Sequence, residues 1–573
     1  MMRWFPLLAV CLLAALGCLG CRRDKPESDD MPPTVDDPVW FRDDTDKVGL
    51  DFHHEAGPVG RYFMPQIMGS GAALLDFDND DRFDLYFIHN AGPDSGARNR
   101  LFHQTEDGRF EDVSAGSGLD IAGYGMGAAV GDVDNDGWVD VYVSQYGGGR
   151  LFRNRGKGRF EDVTRTAGVE LPNWGASCAF LDYDRDGWLD LIVVNYLDYD
   201  ASRPCGPASG KRDYCHPNAF PGSDARLFHN LGRDAKGRWL GFRDVTFSAG
   251  LARRAPGLGV VCADFNGDGW PDILAANDAA ANHLWINRRD GTFAEEAVPR
   301  GLAFDGLGNA QSNMGTTIGD VDGDGRLDLF ITHLTEETHT LWRQTATGLF
   351  QDGTAAAGLA TPHWRGTGFG TILGDFDLDG ALDIAVVNGR VSRGPATTGQ
   401  ENSSFWSRYA ERNQLFLNDG KGIFRDISRG NRAFCGSSAV SRGLVWGDFD
   451  EDGRVDVVTT AVAGPARFYR NVAPQRGHWL IVQARDPVRR RDAYGAVVRF
   501  QAGGRSWIGL INPGQSYLSS GDPRAHFGLG AIERVEEVRI DWPDGPVEAA
   551  GELFPCGNVD RVLVVERGKG RKP

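Results

Sequence analysis

The sequence predicts an all-β protein: a seven-bladed β-propeller closed by an N-terminal strand and followed by a small C-terminal β domain. Three observations carry this prediction. Glycine accounts for 77 of the 573 residues with no collagen-like period, which implies many tight turns. An acidic nine-residue motif occurs seven times, starting at Asp76, Asp132, Asp182, Asp264, Asp320, Asp375 and Asp448. Around each copy lie short apolar runs of strand length, and four such strands per repeat make a propeller blade.

The elements follow in chain order. After Arg3 an apolar stretch runs from Trp4 to Leu16, too short to span a membrane and suited to a signal-peptide core. Ala15, Leu16, Gly17 and Cys18 resemble a bacterial lipobox, in which Cys18 is lipidated; Cys21 is the second choice. Residues 1–18 are thus expected to be a lipoprotein signal and 19–38 a polar tether. Residues 39–475 hold the repeats, with insertions at 198–223 and 390–412. In each repeat a Gly-rich run precedes the acidic loop and an apolar run such as Asp140–Val143 follows it. A third strand such as Arg150–Arg153 and a fourth such as Phe160–Val163 complete the unit. The seventh repeat lacks its fourth strand after Arg470. Phe41–Thr45 matches the missing piece and is expected to complete that blade, leaving no open sheet edge. Residues 476–573 form the C-terminal β domain and tail, with strand-like runs at His478–Val482, Ala496–Phe500 and Val535–Ile540.

The loops carry the chemistry. Their motif places side-chain oxygens at the first, third, fifth and ninth positions, where alternate residues of a tight loop can face one centre. The candidate ligands are Asp76, Asp78, Asp80 and Asp84; Asp132, Asp134, Asp136 and Asp140; and Asp182, Asp184, Asp186 and Asp190. The fourth and fifth loops add Asp264, Asn266, Asp268 and Asp272, then Asp320, Asp322, Asp324 and Asp328. The last two add Asp375, Asp377, Asp379 and Asp383, then Asp448, Asp450, Asp452 and Asp456. Asp81 replaces the usual glycine in the first loop. Hard oxygen donors in a flexible, multiply charged loop suit Ca²⁺ better than Mg²⁺. An EF-hand is excluded, because it needs Glu at the twelfth position, where these loops have Phe87, Val143, Val193, Ala275, Ile331, Val386 and Thr459. About seven structural Ca²⁺ ions are expected. At calcium about tenfold above Kd each contributes roughly 1.4 kcal/mol, together comparable with the stability of a whole domain.

At this point the residues resemble a known family. The repeats are similar to FG-GAP/VCBS repeats, the calcium-binding blades also found in integrin α-subunit propellers. The C-terminal part resembles the ASPIC/UnbV domain through Asp492–Ala496, Gly514–Ser519, Asp522–Pro523, His526–Gly530 and Trp542–Gly545. Together they imply a bacterial relative of the cartilage acidic protein family. The resemblance sharpens the fold and the calcium role more than the activity.

The formal net charge of −18 argues against nucleic acid or an anionic membrane surface as partner. Outside the signal region the cysteines show no Cys-x-x-Cys metal pattern. In an oxidising compartment Cys205 and Cys215, which close a Pro/Gly-rich loop, are expected to pair, whereas Cys178 and Cys262 read as buried thiols. No Gly-x-Ser-x-Gly, His-Glu-x-x-His or P-loop pattern occurs. The expected function is therefore recognition: a calcium-binding, lipid-anchored protein, exported to periplasm or cell exterior, that binds a protein or glycan. The alternative is a calcium-dependent lyase or hydrolase acting on polysaccharide. Tyr124, Trp174, Asn313, His363, Trp364 and Arg442 recur just before the first strands and are the candidate ligand contacts, converging near the ring axis. His526 and Asp522 read as a turn and packing signature.

Overall fold

The computed structural model describes residues 37–203, 205, 212–395, 405–474, 477–544 and 551–572. The signal segment, Cys18, Cys21 and most of the tether lie outside them. Seven sheets dominate the described chain, each with four antiparallel strands, and in six of them these strands run in sequence order from the inside outward. The inner strands are Ala72–Leu75, Gly125–Gly131, Gly175–Leu181, Gly257–Ala263, Thr316–Gly319, Gly368–Gly374 and Ser441–Gly447. Each adjoins the next, and the last adjoins the first, so the sheets form a closed propeller ring. Every acidic loop joins an inner strand to the second strand, which begins at the ninth loop residue. The outermost strands have only three residues, Phe160–Asp162 for example, with the Phe buried and the rest exposed.

The seventh blade is completed from the other end of the chain. Phe41–Asp43 pairs antiparallel with Arg467–Asn471, with Phe41 opposite Asn471. Trp40, fully buried, donates its main-chain N–H to Asn431 at 2.7 Å. The sequence expectation of closure by the N-terminal strand is met in this pairing.

A second cyclic system runs through the side chains at the end of each third strand, always Asn or Gln. Asn154 donates to the carbonyl of Phe77, Asn230 to Val133, Asn287 to Tyr183, Gln344 to Phe265, Asn418 to Val321 and Asn471 to Phe376. Each bond reaches back into the acidic loop of the preceding blade. Buried amides of this kind must be paired, and here the pairing joins neighbours.

The ring has no open axis. On one face the short helix Met64–Met68 covers it. On the other face the C-terminal domain, built of two four-stranded sheets, sends a finger into it. Between Asn512 and Asp522 this finger bonds to every blade. Asn512 donates to Cys262, Ser516 exchanges main-chain bonds with Thr316, and the Ser516 hydroxyl accepts from Thr371. Leu518 donates to Ser177, Ser520 donates to Ala128, and Asp522 donates to Trp446. Ser519–Ser520 adds a parallel strand to Ala72–Ala73. The Tyr517 hydroxyl meets the helix from beneath, donating to Met68 at 3.1 Å. Glycine is required where the inner strands approach the finger: a Cβ on Gly71 would lie 2.2 Å from the Leu518 carbonyl.

The C-terminal domain is therefore wedded to the ring rather than appended to it. Its core residues Leu480, Val498, Phe527 and Ile540 join one apolar cluster with Ala129 and Phe180 of the blades. His526 accordingly has a docking role, its Nε2 lying 2.6 Å from the Gly453 carbonyl of the seventh loop. Among the described residues no helix is long and apolar enough to cross a membrane.

Candidate metal-binding loops

Each loop is assembled by main-chain bonds before any ion is considered. The first carboxylate caps the turn: Asp132 accepts from the N–H groups of Asp136 and Gly137 at 3.1 and 2.7 Å. The ninth carboxylate is fully buried and staples loop to sheet. Asp140 accepts from Val133 at 3.0 Å and from Asn154, at the end of the third strand, at 2.8 Å. The pattern recurs at Asp84, Asp190, Asp272, Asp328 and Asp383. The third and fifth side chains complete the cluster. Asp76, Asp78 and Asp84 bring carboxylate oxygens within 4.8 Å of one another, as do Asp132, Asp134 and Asp136, and Asp182, Asp184 and Asp186.

Burial makes these clusters costly as anions. It pushes Asp84 up to about 9, Asp272 to about 8, and Asp190 and Asp328 to about 7. Asp140, Asp383 and Asp456 are raised well above the carboxylate range for the same reason. Uncompensated charge in a dry cluster is unfavourable, and a bound cation reverses that balance. The donor set fits Ca²⁺: all oxygen, several carboxylates, on a flexible loop. Asp78, Asp134 and Asp184 each keep a buried Oδ1 with no hydrogen-bond partner, an orphan acceptor that a metal would satisfy.

The loops are not equivalent, and this the sequence analysis missed. The fourth residue of each third strand stands over the carboxylates. It is His103 in the first blade, 3.1 Å from Asp84, and His229 in the third, 3.2 Å from Asp190 and 3.3 Å from Asp184. It is arginine in three blades. Arg153 pairs with Asp134 and Asp136, Arg343 with Asp322, and Arg470 with Asp450 and Asp456 at 2.8 and 2.6 Å. In the fourth and sixth blades the position holds Ile286 and Leu417. The residue types were visible in the repeat; their place over the loop was not.

The expected ligand contacts need correction. Arg442 is fully buried, its guanidinium donating to the carbonyls of Ile67, Gly389, Ser441 and Arg390 and lying 3.8 Å from the Phe369 ring centroid. Asn313 is buried and donates to Asn277 and Gln311. Trp174 is buried against Tyr146, Tyr196 and Tyr199. These three do not present a surface, because helix and finger fill the axis. His363 donates its main-chain N–H to Asp426, and Trp364 is half-buried beneath Arg412. Tyr124 alone of the six lines an open cleft. The cysteines behave as expected: Cys205 and Cys215 form a disulfide, and Cys178 and Cys262 are buried thiols.

The FG-GAP-like repeat matches residues 76–143, 132–193, 264–331, 320–386 and 404–459, and the ASPIC and UnbV domain matches 487–570. Human cartilage acidic protein 1 is 27% identical over 328 residues, covering 55% of this chain and 45% of the human protein. Its Mus musculus counterpart is 26% identical over 315 residues, covering 53% and 45%. The chain thus spans less than half the length of these curated relatives. Among solved structures, an Agrocybe aegerita lectin that recognises non-reducing terminal N-acetylglucosamine covers 65% of this chain and 82% of its own. It is 16% identical with a TM-score of 0.36, a level at which the likeness decides nothing. The repeats match over more than half of the sequence, so the chain belongs to the FG-GAP-like repeat proteins and carries an ASPIC and UnbV domain at its C-terminal end.

Proposed function

We propose that this chain is a calcium-stabilised recognition protein, exported and held at a bacterial membrane by lipid on Cys18, that binds a protein or glycan outside the cell. The observation that supports it most is the set of seven loops, each with buried carboxylates converging at the start of a second strand. Calcium in those loops would neutralise most of a net charge of −18 and tie each inner strand to its neighbour. In the loops the carboxylates serve as ligands, a poor state for general bases. Membership of a repeat family shared with cartilage acidic proteins favours recognition over turnover.

The test is elemental analysis and thermal unfolding of the mature protein with and without a calcium chelator. Bound calcium and a midpoint that drops on chelation are expected. An unchanged midpoint with no bound metal overturns the calcium reading. Fatty-acid labelling lost in Cys18→Ser supports the anchor; labelling lost only in Cys21→Ser moves it.

A further inference from the structure

The face of the ring opposite the loops carries a cleft of about 370 Å³, within the size range of small-ligand sites. Its floor is aromatic. Phe63, just before the axial helix, lies 4.9 Å from Tyr124 and 5.7 Å from Tyr199 between ring centroids. All three rings are only partly buried, and Trp174 packs behind Tyr199. Tyr124 lies against the wall because residue 92 is glycine: a Cβ there would come 2.8 Å from its ring. One wall holds Ser202, Arg203 and the Cys205–Cys215 disulfide, and Arg203 is braced over Phe220 at 5.5 Å.

The rim is basic on an otherwise acidic protein. Arg61, Arg203 and Arg212 are exposed there, and among the described residues none of them forms an ion pair. Asp213 is the one acidic lining residue, and its carboxylate is occupied by the Tyr409 hydroxyl at 2.8 Å and the Arg393 main-chain N–H at 2.9 Å. Three arginines thus line a cleft whose nearby carboxylates are Asp213 and the exposed Asp200; Arg203 also donates to the Ala219 carbonyl, and Arg212 lies over the Tyr62 ring at 6.0 Å. Flat aromatic faces suit the C–H face of a pyranose ring, and guanidinium forks pair with planar carboxylates or with sulfates. A floor and wall fixed in advance lower the cost of ordering on binding.

We infer that this cleft binds an anionic sugar unit, a pyranose bearing a carboxylate or a sulfate. The inference rests on the recognition reading above and narrows its ligand. The sugar packs against Phe63 and Tyr124, which meet edge to face, and its charged group meets Arg61, Arg203 and Arg212.

The experiment titrates the mature, calcium-loaded full chain with glucuronic acid, glucose 6-sulfate and glucose by calorimetry. At least one charged sugar should bind, with glucose about tenfold weaker or worse, as expected when charged hydrogen bonds are lost. The stronger of the two charged sugars identifies the anionic group. The double variant Arg61→Ala, Arg212→Ala should weaken the charged sugar about tenfold while leaving glucose unchanged. Tyr124→Ala should weaken all three. The exposed arginine pair keeps the test sound if Tyr124→Ala proves unstable, and chelator-sensitive melting checks each variant. Equal affinity for glucose and the charged sugars overturns the inference, as does undiminished binding in a folded arginine variant. Failure of both charged sugars, in a chain that still captures a protein or neutral glycan, overturns the cleft assignment and leaves the recognition reading standing.

Discussion

The side-chain amide of Gln104 donates a 2.8 Å hydrogen bond to the main-chain carbonyl of Phe449, 345 positions along the chain. With that bond the first blade grips the loop of the last, and the chain of Asn and Gln contacts around the ring has no end. The pairing of Phe41–Asp43 with Arg467–Asn471 closes the same seam at the outer edge.

Gln104→Leu leaves the Phe449 carbonyl buried without its donor, which costs about 1–3 kcal/mol. The urea midpoint should fall by that free energy divided by the slope, with the slope unchanged. Deleting 40–50 should destabilise far more than deleting 22–36, because Trp40 and Phe41 are buried in the seventh-blade core. Equal midpoints for the two deletions would refute closure by the N-terminal strand.

The proposed calcium sites should differ in affinity. A guanidinium bonded to loop carboxylates competes for the oxygens an ion needs, so the loops under Arg153, Arg343 and Arg470 are expected to bind calcium more weakly than the loop under Leu417. Leu417→Arg should remove one tight calcium in a calorimetric titration, and Arg343→Leu should strengthen one weak site. Seven identical sites, unmoved by either change, would count against this ranking.

Stability should fall with acid through the buried imidazoles. His54, His89 and His339 each accept a main-chain N–H at Nδ1, the arrangement of a neutral ring. Burial lowers His89 and His339 to about 4 and His333 to about 3. Unfolded, each titrates near 6.5, so between about pH 6.5 and 4 the unfolded chain takes up protons that the native chain refuses. In saturating calcium the loss should reach up to about 1.4 kcal/mol per pH unit for each ring, with no effect above pH 7. His339→Gln should flatten the profile by one ring's share; a midpoint constant from pH 7 to 5 would contradict it.

Tyr517 is the point where finger and helix meet on the axis. Tyr517→Ala should cost about 3–5 kcal/mol, as for other large-to-small changes in a core, and Tyr517→Phe about 1 kcal/mol. Calorimetric midpoints of both variants check this; a neutral Tyr517→Ala would mean that the finger does not brace the ring.

The repeating parts of this molecule were legible because repetition amplifies weak local patterns. One copy of the loop at Asp132 says little; seven at the same place in a strand pattern predict sheets, loops and the strand at Phe41. The parts that occur once were not legible. Asn512–Asp522 is a Gly/Ser/Pro segment without apolar periodicity, and nothing local marks it as the filling of an axis. Trp174 and Asn313 precede inner strands, whereas Arg442 lies within one, and all three are buried. The burial of Arg442 involves Met64–Met68, which comes from a distant part of the chain. The arginines over the loops are a middle case: their period is plain in the sequence, but only the fold shows what they face.

The finger also dictates a timetable. A segment that touches every blade is made after all of them, so the barrel of inner strands lacks its central filling until Asp522 has been synthesised. The first strand likewise waits for Arg467–Asn471 before it can pair. Contacts of such long range are slow to form. The seam at Phe41–Asp43 and the filling of the axis are therefore the last native contacts for which all the residues exist.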